Sequence, residues 1–227
     1  MGVFMTYVFG DIHGCLHSFN TLIELLSPGA DDVVVTLGDY VDRGPASKGV
    51  IDRLLQLQEE INLVTLRGNH EIMMEEARKG PPASSFWKLN GGIETMASYG
   101  GRSLKDVPQS HWDFFDQLKP HYIEGEFLLT HATPPFDKTV EDCDDEDLYW
   151  SRFRDLKPRK DGLFLICGHT PQEDRSPALE SGHVCLDTGC VHGGFLTALT
   201  LETGAYIQAD ENGELRDGKL DLSLPKS

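Results

Sequence analysis

The chain has 227 residues, of which 39% are hydrophobic and 25% are charged. This composition supplies one sizeable globular domain, and no Pro/Gly/Ser-rich linker divides the chain. The formal net charge of −17 excludes a nucleic-acid backbone as the main partner, because such binding requires a basic surface.

Three strand–loop–helix units occupy the first third of the chain. Apolar runs at residues 3–9, 31–37 and 63–66 predict strands, and apolar residues at helical spacing follow each run. This alternation predicts an α/β sheet, in which ligands bind beyond the carboxyl ends of the strands.

A polar, glycine-marked loop follows each of these strands. The polar side chains in the three loops are Asp11, His13, Asp39, Asp42, Arg43, Asn69 and His70. We expect them to converge on one rim of the sheet. The charge in the second loop, residues 38–44, is costly to bury beside a strand end, which favours a metal ion or an anionic ligand there.

The rest of the chain is predicted to be less regular and then rich in strands. Residues 87–99 predict a helical pair broken at Gly91 and Gly92, with core-packed aromatic and apolar side chains, and residues 112–118 predict a short helix. Strands are predicted at 127–130, 163–167 and 184–186, with a hairpin formed by 195–201 and 205–208. We expect one domain over residues 1–210 and a polar tail over residues 211–227.

Several features concern location and assembly. The five cysteines are odd in number and form no C-x-x-C pair, which indicates reduced thiols in a cytoplasmic protein. No signal peptide or membrane span is expected. The acidic run at residues 141–147 is interpreted as a solvated loop. The alternative is a flap over the pocket that disfavours acidic peptides. The oligomeric state stays open, and a monomer is compatible with the sequence.

Two later strands end at a histidine, and these histidines extend the donor set. The candidate ligands are Asp11, His13, Asp39, Asn69, His131 and His169. A mixed oxygen and nitrogen set without cysteine suits Mn²⁺, Fe or Zn²⁺ better than Ca²⁺, and a carboxylate can bridge two ions.

Three ordered motifs resemble those of the phosphoprotein phosphatase (PPP) family of metallophosphoesterases. They are Gly10-Asp11-Ile12-His13-Gly14, Gly38-Asp39-Tyr40-Val41-Asp42-Arg43-Gly44 and Gly68-Asn69-His70-Glu71. The match extends over about residues 3–201, and Asn90-Gly91-Gly92 and Thr170-Pro171 are similar to the bacterial and phage, lambda-type branch. The resemblance implies a single-domain α/β fold of the calcineurin-like type, a β-sandwich flanked by helices in α-β-β-α layers.

The resemblance also implies a role for each motif residue. Asp11, His13 and Asp39 match the ligands of a first metal ion, while Asp39 bridges to a second ion completed by Asn69, His131 and His169. His70 matches a general acid that Asp42 orients and keeps cationic. Arg43, Arg152 and Asn69 match phosphate-binding residues, with Arg154 as a near competitor to Arg152.

The implied reaction is hydrolysis of a phosphoester, in which a hydroxide bridging two divalent ions, Mn²⁺ before Fe or Zn²⁺, attacks phosphorus directly. The favoured substrate is phosphoserine or phosphothreonine in a protein or peptide, with phosphotyrosine also admitted. The alternative is a dinucleoside polyphosphate (diadenosine tetraphosphate) hydrolase that uses the same site, because the two activities differ in the substrate groove. A non-catalytic binding protein would have lost a ligand or the acid, and the sequence retains them all.

Overall fold

The computed structural model describes residues 4–101 and 103–224, and all counts refer to these residues. Eleven strands are present: β1 (Thr6–Phe9), β2 (Val33–Thr36), β3 (Asn62–Thr65), β4 (His121–Glu124), β5 (Phe127–Thr130), β6 (Phe164–Cys167), β7 (Ala178–Glu180), β8 (His183–Cys185), β9 (Leu196–Thr200), β10 (Ala205–Ala209) and β11 (Leu215–Lys219). Seven α-helices accompany them: α1 (Leu16–Leu26), α2 (Ser47–Glu60), α3 (Asn69–Ala77), α4 (Ala83–Trp87), α5 (Ile93–Ser98), α6 (Gln109–Asp116) and α7 (Asp145–Tyr149). A π-helical turn spans Lys88–Gly92, and 3₁₀ turns span Leu104–Asp106, Val140–Asp142 and Cys190–His192.

The first sheet has the strand order β11-β10-β9-β1-β2-β3. Strands β1, β2 and β3 are parallel and in level register, with Val8 opposite Val35 and Val35 opposite Val64. Because parallel strands end at the same edge of a sheet, the three polar loops leave the sheet side by side.

The second sheet has the order β4-β5-β6-β8-β7 and packs against the first sheet. Alternate residues of one strand face opposite layers, since successive side chains of a strand point to opposite faces. Val8 packs toward Ile166 between the sheets, whereas Phe9 packs toward the helices that cover the first sheet. Burial on both faces explains the continuous apolar runs, and the predicted single-domain α/β fold is confirmed.

The C-terminal tail prediction is wrong for residues 215–219. These residues form β11, which pairs antiparallel with β10 and places Leu215 opposite Ala209. Backbone hydrogen bonds hold this strand while most of its side chains are exposed, so no apolar pattern marked it. The start of the first predicted strand, at residue 3, and the last three residues of the tail lie outside the described residues.

The core role predicted for apolar residues of the middle region is wrong at two positions. Trp87 is fully buried, but Leu89 is 87% exposed and Ile93 is 56% exposed. The break was predicted at the right place, because Gly91 has φ +111° between the two helical segments. Leu89 lies just before this break and Ile93 just after it, and both side chains are in solvent.

Most of the acidic run is exposed, as predicted for a solvated segment, but much of it is helical, because Glu141 and Asp142 belong to a 3₁₀ turn and α7 begins at Asp145. Asp144 caps α7 by accepting a hydrogen bond from the Asp147 backbone N–H at 3.0 Å, and acidic residues in a first turn are favourable beside the helix dipole. Leu148 and Tyr149 at its end are buried against the second sheet. These two side chains therefore hold the end of the run, and the segment that continues from it to Arg152, against the second sheet.

No helix within the described residues is long and apolar enough to cross a membrane.

Candidate active site

The two sheets bring the predicted site residues to one cavity of about 240 Å³. Its lining includes Asp39, Arg43, Asn69, His70, Met73, Asn90, Trp150, Arg152, His169, Pro171 and His192. His13 and His131 lie beneath it, in contact with Asp39. None of residues 141–147 lines the cavity, so the alternative of an acidic flap is wrong in this geometry.

Asp39 lies at the centre of the site, and its two oxygens face different imidazoles. Oδ2 lies 3.3 Å from Nε2 of His13, and Oδ1 lies 3.4 Å from Nε2 of His131. Burial alone would raise the pKa of Asp39, but His131, His70 and His13 outweigh it and hold the pKa well below its usual range. Asp39 is therefore an ionised carboxylate placed between two groups of nitrogen donors.

Three histidines turn toward this centre a ring nitrogen that presents a lone pair when the imidazole is neutral. In each, the other ring nitrogen lies against a backbone carbonyl: His13 Nδ1 at 2.7 Å from Val41 O, His131 Nδ1 at 3.0 Å from Leu37 O, and His169 Nε2 at 3.1 Å from Trp150 O. Because a carbonyl oxygen only accepts, that ring nitrogen carries the proton and the inward nitrogen presents a lone pair. Metal-binding histidines are usually oriented in this way.

Asn69 adds a fourth lone pair, on the side of Asp39 where His131 and His169 lie. Its Oδ1 lies 3.0 Å from His131 Nε2 and 3.1 Å from His169 Nδ1, all three atoms being acceptors in these tautomers. Facing lone pairs repel one another unless a cation lies among them. The residues present therefore fit a divalent metal ion with mixed nitrogen and oxygen ligands.

Two donor groups can be distinguished, and they share Asp39. Ligand atoms of His13, Asp39 and His70 lie within 4.8 Å of one another, as do those of Asp39, His131 and His169. Asp11 completes neither group. Both of its carboxylate oxygens lie 3.1 Å from the His169 backbone N–H, which donates to them.

Asp187 is a buried carboxylate that the sequence analysis did not assign to the site. Burial raises its pKa to about 6, and the charge of Asp39 acts in the same direction. Burial, Asp187 and Asp39 likewise raise the pKa of Asp11 well above its usual range. Three close buried carboxylates are an excess of negative charge that bound divalent cations would neutralise.

His70 and Asp42 form a hydrogen-bonded pair, with Nδ1 of His70 2.7 Å from Oδ2 of Asp42. Thr95 Oγ1 donates to Asp42 at 2.7 Å, and the Trp87 indole N–H donates at 2.9 and 3.0 Å to the two carboxylate oxygens. Both donors come from the middle region, where the sequence analysis assigned only packing. They fix the Asp42 carboxylate, which in turn fixes the imidazole.

The expectation that His70 is held cationic is wrong for this geometry. Burial lowers the pKa of His70 well below its usual range, and His13, Arg43 and His131 add to this effect while Asp39 opposes it. Burial also raises the pKa of Asp42 to about 7. Burial therefore acts against the charged form of each partner, and it does not favour a cationic imidazole.

The two predicted phosphate-binding arginines lie beside the histidine ligands. Nη1 of Arg43 is 2.8 Å from Nε2 of His13, and Nη1 of Arg152 donates to the backbone carbonyl of His169 at 3.0 Å. Arg152 lines the site cavity, whereas Arg154 lines a different cavity beside Phe136. The geometry thus brings Arg152, and not its competitor, to the site.

Backbone strain is concentrated in the same loops. Five site residues have positive φ: His13 (44°), Asp39 (54°), Asp42 (73°), Arg43 (68°) and His169 (65°). This region is uncommon for residues other than glycine, and such conformations persist where surrounding contacts impose them. The ligand geometry therefore depends on groups that hold these loops.

Glu71 is one such group, although the sequence analysis gave it no role. Its carboxylate accepts hydrogen bonds from the backbone N–H of Asp39 at 2.9 Å, Tyr40 at 2.8 Å, Val41 at 3.3 Å and Gly68 at 3.0 Å. Burial and Asp39 raise the pKa of Glu71 to about 8, while the hydrogen bonds from Tyr40, Asp39 and Gly68 act in the opposite direction. A Cβ on Gly68 would lie 2.2 Å from Oδ1 of Asp39, so only glycine permits this approach.

Comparison with known proteins identifies relatives of two named activities. The calcineurin-like phosphoesterase family profile matches residues 4–185. Serine/threonine-protein phosphatase 1 of Salmonella typhimurium is 30% identical over 209 residues, which cover 86% of this chain and 91% of that protein. Bis(5'-nucleosyl)-tetraphosphatase PrpE (asymmetrical) of Bacillus subtilis is 30% identical over 220 residues, covering 84% and 88%.

A solved structure shows the same fold at lower identity. The cold-active protein-tyrosine phosphatase of the psychrophile Shewanella has a TM-score of 0.65 to this chain at 16% identity, covering 95% of this chain and 80% of that one.

Proposed function

This chain belongs to the calcineurin-like phosphoesterase family, and from that premise we propose that it removes phosphate from phosphoserine or phosphothreonine side chains of proteins. The observation that carries the proposal is the size of the site cavity, about 240 Å³. Pockets that enclose a whole small ligand usually measure about 300–1,000 Å³. A cavity below that range suits a phosphoryl group whose remaining substrate lies outside, on the surface of the enzyme.

Members of this family bind two divalent metal ions, and the donors around Asp39 fit that requirement. We assign one ion to the His13 side of Asp39 and the other to the His131, His169 and Asn69 side, with Mn²⁺ before Fe or Zn²⁺. When bound, such ions supply Lewis-acid chemistry for phosphoester hydrolysis.

The side chains around these ions then have separate tasks. Arg43 and Arg152 both line the cavity and can offer guanidinium N–H donors to phosphate oxygens. His70 would protonate the departing alkoxide of the substrate, using the proton that it shares with Asp42. Trp87 and Thr95 hold Asp42, so the imidazole keeps its orientation toward the cavity.

A second candidate activity is hydrolysis of a dinucleoside tetraphosphate. It is supported by the Bacillus subtilis relative, which is as similar to this chain as the Salmonella phosphatase. The same metal ligands, arginines and His70 would serve that reaction. The difference lies in a binding surface for a nucleoside outside the cavity.

A direct comparison of substrates tests the proposal. The Mn²⁺-loaded protein is assayed with a phosphoserine peptide, with diadenosine tetraphosphate and with p-nitrophenyl phosphate. Of the two biological substrates, we expect the phosphopeptide to have the higher kcat/KM. A much higher value for the dinucleotide would contradict this. Absence of hydrolysis of all three after metal loading would instead support a non-catalytic binding protein, and His70→Asn protein prepared in parallel controls for contaminating phosphatases.

A further inference from the structure

Three large apolar side chains lie in solvent between residues 86 and 93. Phe86 is 55% exposed, Leu89 is 87% exposed and Ile93 is 56% exposed, and Leu89 is the most exposed large apolar side chain among the described residues. We call these three side chains the apolar ridge. Single exposed apolar residues are ordinary, but a group of three on a chain with net charge −17 is a candidate binding surface.

The ridge borders the candidate active site directly. Asn90 lines the site cavity, and residues three and four apart on a helical segment are neighbours, which places Asn90 beside Phe86 on this surface. The Asn90 side-chain amide donates to the Phe86 carbonyl at 2.9 Å. Asn90 therefore connects the segment that carries the ridge to the lining of the cavity.

Two contacts fix the distance between the ridge and Arg43. The Arg43 backbone N–H donates to the Gly91 carbonyl at 3.2 Å. A Cβ on Gly91 would lie 2.4 Å from the Arg43 backbone nitrogen, so the two segments touch without an intervening side chain. A phosphate held by Arg43 would thus lie at a set distance from Leu89.

The inner face of this segment is also anchored. Trp87 is fully buried and its indole N–H donates to Asp42. The buried side of this segment is therefore attached to the His70–Asp42 pair, while the ridge on the same segment faces solvent.

We propose that the apolar ridge binds an apolar side chain that lies next to the phosphorylated residue of a protein substrate. This inference rests on the proposed function. Asp39 is the only carboxylate among the cavity-lining residues of the described chain, and Arg43 and Arg152 lie at the rim. The surface therefore offers cationic groups for the phosphate and, beside them, apolar area for the neighbouring residue.

A protein segment fits this surface better than a second copy of the chain. Stable protein–protein interfaces bury about 800 Å² on each partner, and three side chains cover much less than that. Contact with Leu89 and its two neighbours is sufficient to select one flanking residue, since burying a leucine-sized side chain changes binding by about tenfold or more.

The test uses two phosphoserine peptides that differ only in the residues flanking the phosphoserine, leucine in one and serine in the other. Each kcat/KM is divided by the value for p-nitrophenyl phosphate from the same preparation, so that damage to the catalytic centre cancels. We expect the wild type to prefer the leucine peptide by about tenfold. Leu89→Ser should bring the ratio near one, whereas Leu25→Ser, which changes a 54% exposed leucine on α1, should preserve it.

Four results would overturn the proposal. Equal activity of the wild type on both peptides, or an unchanged preference in Leu89→Ser, would show that the ridge does not bind the flanking residue. Either result would leave the proposed function intact. Hydrolysis of p-nitrophenyl phosphate with no hydrolysis of either peptide would contradict both the proposed function and the binding role of the ridge. A dimer in light scattering that Leu89→Ser dissociates would assign the ridge to a second copy of the chain.

Discussion

Nδ1 of His70 lies 2.7 Å from Oδ2 of Asp42, although Asp42 lies in the loop after β2 and His70 in the first turn of α3, which follows β3. Level register of the parallel strands brings the loops together, and Trp87 and Thr95 then hold the carboxylate from the opposite side. The imidazole consequently directs Nε2 toward Asp39, 3.9 Å away, and toward the cavity. This orientation suits proton donation to a group bound beside Asp39.

Replacing His70 by asparagine should slow hydrolysis by about 10²–10⁴ for a substrate with a poor leaving group. The loss should be smaller for p-nitrophenyl phosphate, whose leaving group needs little protonation. Steady-state kinetics on a phosphopeptide and on p-nitrophenyl phosphate measure both values. His17→Asn, at an exposed histidine outside the site, is the matched control. Equal losses on the two substrates would count against His70 as the acid.

Trp87→Phe should reduce the rate through Asp42 while retaining most of the buried ring. The change removes the indole donor to the carboxylate, and a hydrogen bond to a charged group contributes about 1.5–3 kcal/mol. We expect a loss of about tenfold or more in kcat for a phosphopeptide.

The loss for Trp87→Phe should be smaller with p-nitrophenyl phosphate, as for His70. Trp112→Phe makes the same substitution at a buried tryptophan over which Arg78 stacks, and it should not show this dependence on the leaving group. If the two tryptophan variants behave alike, Trp87 has only a packing role.

Glu71→Gln should destabilise the fold and slow catalysis together. The glutamine amide would turn an NH₂ group toward two of the four backbone donors that the carboxylate now accepts. Each buried donor left unpaired costs about 1–3 kcal/mol.

Urea unfolding should therefore show a loss of about 2–3 kcal/mol for Glu71→Gln. Glu76→Gln, at an exposed position of the same helix, should change stability by less than about 1 kcal/mol. A Glu71→Gln protein with wild-type stability and rate would show that the loop after β2 does not depend on this carboxylate.

Removal of divalent metal should abolish activity and lower the melting temperature, because ions that bind only the folded state stabilise it. Elemental analysis should find two ions for each wild-type chain. Asp39→Asn should retain fewer, since both donor groups share this carboxylate. Asp116→Asn, at the exposed end of α6, is the control. Two ions in Asp39→Asn would contradict a bridging role.

Stability should fall as the pH is lowered from about 7 to 5, partly because of His183. Burial lowers the pKa of this histidine, and Arg159 acts in the same direction. Its folded-state pKa is below the unfolded value of 6.5, so below that pH the unfolded chain binds more protons and the free energy of unfolding decreases.

His183→Asn can retain a donor to the Ser181 carbonyl, which lies 2.9 Å from Nδ1 of His183. Over this pH range the variant should lose less stability than the wild type. The difference should be about 1 kcal/mol for each pH unit by which the folded-state pKa of His183 lies below its unfolded-state value. Urea unfolding at each pH measures the difference. Parallel curves for the two proteins would exclude a contribution from His183.

Much of the fold was predictable from local patterns. The strands of the α/β units are buried on both faces, and this leaves apolar runs that the sequence displays directly. Strand β11 left no such pattern, because its stability comes from backbone pairing with β10. Leu89 and Ile93 are apolar like core residues, yet both are exposed, one on each side of the break at Gly91.

The sequence by itself determined the fold class and the residues at the strand ends, because glycines and polar groups after apolar runs mark loops at one edge of a sheet. Only the tertiary structure decided how these residues are supported. Thr95 and Trp87 reach Asp42 across 53 and 45 residues, and Asp187 approaches Asp39 from the second sheet. It also decided the direction in which the pKa of His70 shifts, because burial and neighbouring charges depend on packing between distant segments, which no local pattern records.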